Sequence, residues 1–212
     1  MKKNLLLALS LILLFSAKTP AFLSDTINVD EQMMKNYKHV TEDVNVIKAL
    51  EMMSRTSGDY SKNAILGKNL TGKPIKIEFT NLGSINPIYT NFDALGWKKK
   101  KTLTIYINQK HKDAPPEALA ALLSHEAIHQ DEENSINEET YAWTLEAAVW
   151  TQLAEDDPNL EKISHPLVDR ENAIKTLFLR GNRTSEYIHK FVITNRGYQN
   201  LPERSVGFEE LL

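Results

Sequence analysis

The sequence predicts an α+β fold: a small twisted sheet packed on one apolar helix, followed by a mainly helical C-terminal half. Three observations carry this expectation. Pro74-Ile75-Lys76-Ile77-Glu78-Phe79 and Leu103-Thr104-Ile105-Tyr106-Ile107-Asn108 alternate apolar and polar side chains with the period of a half-buried strand. Residues 115–124, apolar apart from Glu117 and Ser124, run into His125-Glu126-Ala127-Ile128-His129, which suits a helix packed in the interior. Beyond Trp150, apolar residues recur at helical steps in two further segments, 167–179 and 185–194.

In chain order, Met1-Lys2-Lys3-Asn4, an apolar stretch over 5–17 and Lys18-Thr19-Pro20-Ala21-Phe22 match the charged, apolar and small-residue regions of a signal peptide. Its apolar core of about 13 residues is shorter than the ~20 a spanning helix needs. A leader over 1–21 is therefore expected, cleaved after Ala21, with an uncleaved membrane anchor as the alternative. One domain, 22–212, follows, and no other segment is apolar and long enough to cross a bilayer. Residues 30–57 read as a helix, with Val44, Ile47, Leu50 and Met53 or Ser54 in register, Thr41 as a cap and Gly58 as its end. A Gly- and Asn-rich connection reaches Lys73 and the first strand. A turn-rich insertion, 81–101, precedes the second strand. Its Lys98-Lys99-Lys100-Lys101 run reads as a solvated loop tip that also protects a strand edge. Asp113 stands where it can cap the next helix, whose first turn accommodates Pro115 and Pro116. Gly181 and Asn182 separate the last two helices, and 201–212 read as a loose tail.

Composition narrows the function. With 212 residues, 42% hydrophobic and 25% charged, the chain can bury one domain-sized core. A formal charge of −3 and a pI near 6.1 argue against nonspecific nucleic-acid binding, which needs a basic footprint. The absence of cysteine excludes disulfides, a thiolate nucleophile and a lipid-modified cysteine anchor. Export without disulfides points to a bacterial periplasm or extracellular medium.

The chemistry concentrates at His125 and His129. Four residues apart on a helix, they share one face and can offer imidazole nitrogens to one cation, with Glu126 beside it. Catalytic zinc takes three protein ligands and leaves one position open, so a third donor is needed. After the polar break at 131–134, Ser135-Ile136-Asn137-Glu138 matches a capping box, which would engage Glu138 with the helix's free backbone donors. Glu139 then projects about 100° around that helix. It lies on one stripe with Trp143, Glu146 and Trp150. Glu139 is therefore the expected third ligand, with an exchange of roles between Glu138 and Glu139 as the rival. The plainer alternatives are a polar helix with two idle histidines and a pair of solvated first-turn glutamates.

The HExxH helix followed by Glu139-Thr140-Tyr141-Ala142 resembles the gluzincin branch of the zincin metallopeptidases. The resemblance covers about 105–150. It implies Zn2+ as cofactor, His125, His129 and Glu139 as ligands, and Glu126 as general base and proton shuttle. It also implies a zincin-like fold, whose small sheet lies over the active-site helix and binds extended substrate along its edge strand. Residues 102–108 are the expected edge. The chain departs from the pattern twice: the gap from His129 to Glu139 is short, and Trp143 stands where many members carry an aspartate that orients a histidine. An oxyanion donor is expected among His165, Tyr187, His189 and Tyr198, with no choice between them. The implied activity is peptide-bond hydrolysis on a peptide or protein substrate. A non-catalytic binding or structural module on the same scaffold, or a hydrolase of cell-wall peptide crosslinks, are the alternatives.

Overall fold

The computed structural model describes residues 23–99, 102–130 and 132–209, so the expected leader and the end of the lysine run, Lys100 and Lys101, lie outside the described residues. The architecture is α+β, with one small mixed sheet and mostly helical chain around it. Helix α1 (Glu31–Tyr37) starts at Asp30, whose carboxylate accepts the Met33 N–H at 2.8 Å. Helix α2 (Val44–Met53) starts at Asp43, which accepts from the N–H groups of Asn45 and Val46. The single helix expected over 30–57 is thus two. The Tyr37 carbonyl takes the N–H of both Val40 and Thr41, closing the first helix in a tight turn. Thr41 is not the cap; two residues before the cap Asp43, its hydroxyl accepts the Asp43 N–H at 3.1 Å. Gly58 does not end this helix either, but occupies the N-cap position of α3 (Asp59–Ile65).

Strand β1 (Lys76–Thr80), the single turn α4 (Leu82–Ile85), strand β2 (Ala94–Lys99) and strand β3 (Thr102–Asn108) follow. The sheet order is β1-β3-β2, with β1 parallel and β2 antiparallel to β3, and Gly96 opposite Ile105. Two expectations are corrected here. The insertion over 81–101 contains a strand, and β3 is the central strand rather than the edge. Its inward residues Leu103, Ile105 and Ile107 are fully covered, as a strand paired on both sides requires. The free edge beside the central helix belongs to β2.

Helix α5 (Pro116–Glu126) fills the middle of the fold, with every residue from Ala118 to Leu123 at 0% exposure. Burial of Leu119, Leu122 and Leu123 is worth about 1.5–3 kcal/mol each relative to exposure, enough to hold the helix in place without a side-chain cap. Asp113 does not cap it: Pro115 stands at the N-cap with no side-chain bond, and the Asp113 carboxylate is exposed, 3.7 Å from His165. The helix ends at Glu126, and a tight turn in which the Ile128 N–H donates to the His125 carbonyl carries the chain out to His129. Helix α6 (Ile136–Asp156), α7 (Pro166–Arg180), α8 (Glu186–Thr194) and the short α9 (Val206–Glu209) complete the chain. The tail expected to be loose is not so up to Phe208, which is buried against Ile128 and Ala142. Among the described residues, no helix is long and apolar enough to cross a membrane.

Candidate metal centre

Helices α5 and α6 bring three expected ligands together. His125, on the last turn of α5, and His129, just past it, place their rings 5.2 Å apart. Each Nε2 lies 3.7 Å from one oxygen of Glu139, on the first turn of α6. The three donor atoms fall within 4.8 Å of one another, so this group can hold a metal ion. One observation fits it for that purpose: Glu139 Oε2 is buried and has no hydrogen-bond partner. Few buried polar atoms in a native interior stay unpaired, and a cation between these groups would satisfy this one.

The far nitrogen of each ring is already engaged. His125 Nδ1 lies 3.0 Å from Glu146 Oε2, and His129 Nδ1 lies 2.8 Å from Glu138 Oε1. A carboxylate accepts, so each Nδ1 carries a proton and Nε2 is the nitrogen of each ring left to face a cation beside Glu139. Glu146 is itself gripped by both Nη atoms of Arg170, which also reaches Glu171 Oε1 at 2.9 Å and Asp93 Oδ2 at 3.3 Å. Burial and the adjacent Glu146 push the Glu171 carboxyl well above the ordinary range, so it holds a proton and the cluster is spared a further negative charge. The Arg170 guanidinium stacks 4.5 Å over Trp143, whose ring meets His125 edge-on at 5.0 Å.

The electrostatics of the ligands follow from burial set against charge. Burial works to lower His129, but the carboxylates of Glu139, Glu138 and Glu126 outweigh it and raise the imidazole to about 9, so a bound cation displaces a proton there. Burial works to raise Glu139, yet His129 and His125, helped by Asn134 and Tyr198, hold its carboxyl below the usual value. Glu126 is pushed up, chiefly by burial. Its Oε2 accepts the Gly96 N–H at 2.8 Å, from the free edge of β2. Glycine eases that approach: a Cβ on residue 96 would sit 3.1 Å from His129 Cβ and 3.2 Å from the Glu126 carbonyl oxygen, a tight fit to which the neighbours would have to give.

A cleft of about 600 Å³ opens over these groups. It is lined by Tyr89, Phe92 and Gly96 from around β2, by His125, Glu126, His129 and Glu139, and by Trp143, Arg170 and Tyr198. Of the four residues considered as oxyanion donors, Tyr198 is the one that lines the cleft, its hydroxyl accepting from Trp143 Nε1 at 3.1 Å. His165 accepts the Leu167 N–H as the cap of α7, Tyr187 is flanked by Arg180 and Lys190, and His189 bonds Thr140.

Ser135 Oγ accepts the Glu138 N–H at 3.1 Å, the forward half of the expected capping box. The reciprocal half is absent, because the Ser135 N–H donates to Asn134 Oδ1 and the Glu138 carboxylate turns to His129 and Ser205. Glu146 takes the histidine-orienting part that the departure at Trp143 left open, and its position seven residues past Glu139 on one helical stripe is the signal that marks it. Arg170, Gly96 and Ser205 carry no local signal. Searches of protein-family models, curated proteins and solved structures found no match to this chain.

Proposed function

We propose that this chain is an exported, zincin-like zinc metallopeptidase that hydrolyses peptide bonds in a peptide or protein substrate. The observation that carries the reading is the convergence of two Nε2 atoms and an unpartnered carboxylate oxygen within 4.8 Å of one another, with both Nδ1 atoms fixed by carboxylates. Two imidazoles and one carboxylate are a donor set for catalytic zinc with a fourth position open. Zinc held by His125, His129 and Glu139 supplies Lewis acidity and lowers the pKa of water toward neutrality.

The chain's own residues supply the remaining parts. Glu126, raised by burial and oriented by the Gly96 N–H, takes a proton from the attacking water and delivers it to the departing amine nitrogen as the C–N bond breaks. The water oxygen remains in the carboxyl product. Tyr198, which lines the same cleft, would donate to the oxygen that develops charge. The free edge of β2 offers backbone groups to an extended peptide, and Tyr89 and Phe92 beside it offer apolar surface to its side chains.

The test is metal content of the purified protein together with hydrolysis of a casein-type substrate, with and without chelator. Bound zinc with chelator-sensitive turnover is expected. Bound metal without turnover on any peptide would favour a scaffold whose metal serves stability, and absence of metal would remove the reading.

A further inference from the structure

The C-terminal segment 202–208 lies across the first turn of α6, where Glu138 and Glu139 leave the helix. It takes the two leading N–H groups that an α-helix cannot satisfy itself: Ile136 N–H donates to the Pro202 carbonyl at 2.9 Å and Asn137 N–H to that of Glu203 at 3.1 Å. Two residues on, Ser205, 3% exposed, donates its hydroxyl to Glu138 Oε2 at 2.8 Å and lies 3.2 Å from Ser135 Oγ. The other oxygen of the same carboxylate meets His129 Nδ1. Phe208 then anchors the segment between Ile128 and Ala142, on either side of the site.

From this chain of contacts we propose that Ser205 is a positioning residue of the metal centre and that docking of the 202–208 segment and metal binding stabilise each other. Glu138 is 1% exposed and has two acceptor oxygens to satisfy. With Ser205 present, one oxygen faces the hydroxyl and the other faces His129. Without it, Oε2 becomes a buried acceptor with no donor, and the carboxylate gains by rotating toward another donor. That rotation frees the Nδ1 N–H of His129, and with it the ring orientation that aims Nε2 at Glu139. The coupling is reciprocal, because a cation that fixes His129 also fixes Glu138 and hence the seat of Ser205. The inference rests on the metal-holding role of this site and is independent of whether the protein hydrolyses anything.

The experiment measures zinc affinity of the full chain by competition with a chromophoric chelator, for wild type, Ser205→Ala and Glu138→Gln, with the melting temperature of each chelated protein. Ser205→Ala is expected to bind zinc about 10–100-fold more weakly, as loss of such a support does elsewhere. Its chelated form should melt within about 2–4 °C of the chelated wild type. Glu138→Gln should weaken zinc by at least as much. If Ser205→Ala fails to fold, hydrogen exchange of the wild type decides: metal loading should slow the Ile136 and Asn137 amides at least tenfold relative to the chelated state. Zinc affinity of Ser205→Ala within twofold of wild type, or equal exchange of those amides with and without metal, overturns the inference while leaving the metal site intact. A wild-type chain that binds no zinc overturns both.

Discussion

At the scale of single residues, the site separates neighbouring glutamates by environment. Glu126 faces the cleft and is raised by burial, whereas Glu139 is lowered by two imidazoles. Replacing Glu126 by Gln keeps the shape and an acceptor for the Gly96 N–H but removes the proposed base. Turnover should fall by about two or more orders of magnitude with zinc retained; near-normal rates with full zinc would show that the proton goes elsewhere. Glu138 and Glu139 part in a second way. Glu139→Ala deletes a ligand and should lower metal content to the level of His125→Ala or His129→Ala. Glu138→Ala removes an orienting partner and should weaken zinc by about 10–100-fold without abolishing it. Stoichiometric, tight zinc in Glu139→Ala would reassign the third ligand. The His125, Glu126, His129 and Glu139 cluster was legible because two histidines one helical turn apart and a capped second helix are local patterns. Of their partners, Glu146 was marked only by the helical stripe it shares with Glu139, and Ser205 by nothing local. Glu146 stands 21 residues from His125, Ser205 stands 67 from Glu138, and no local period connects them.

At the scale of elements, periodicity located β1, β3, α7 and α8, whereas a continuous apolar run marked the buried α5 and the capping pattern at Ser135 marked the start of α6. Strand β2 escaped it. Gly96 and Lys98-Lys99 break the alternation, and Gly96 is there for close approach to Glu126 and His129 rather than for strand propensity. The break between α1 and α2 escaped it as well, since it is made by the Tyr37 carbonyl and the Asp43 cap within a continuously helix-compatible sequence. Helix α7 shows how a cap carries pH dependence. His165 accepts the Leu167 N–H through Nδ1, which requires that nitrogen to be unprotonated. Burial, with His111 beside it, lowers the His165 pKa below its ordinary 6.5. A depressed folded-state value means that its contribution is present above about pH 6.5 and is lost as pH falls through the lower folded value. Chelated protein should therefore lose stability on acidification below pH 6.5. His165→Asn, which caps without titrating, should flatten that part of the profile. An unchanged profile in denaturant melts would place the acid sensitivity in other groups.

At the scale of the whole molecule, three separate parts of the chain meet at Arg170. Asp93 comes from the segment leading into β2, Glu146 from the middle of α6 and Glu171 from α7, and Glu146 and Glu171 are fully buried. The guanidinium balances them, stacks on Trp143 and, through Glu146, fixes the ring of His125. Two hydrophobic clusters are distinct here, a large core formed by α2, α5 and the sheet and a smaller one of Trp143, Ile174, Phe178 and Ile188, and Arg170 stacks on Trp143 of the second. Arg170→Met keeps much of the apolar stem and deletes the charge. Removing one partner of a buried ion pair costs about 3–5 kcal/mol, because the remaining carboxylates must take up protons or admit water. For a chain of this size that corresponds to a fall in melting temperature of roughly 6–20 °C. Arg170→Lys retains charge but cannot grip both Glu146 oxygens, so its loss should be intermediate, with zinc affinity reduced in the same order. A melting temperature for Arg170→Met within about 2 °C of wild type would mean that Glu146 holds His125 without help, and that the two clusters are joined by apolar packing alone.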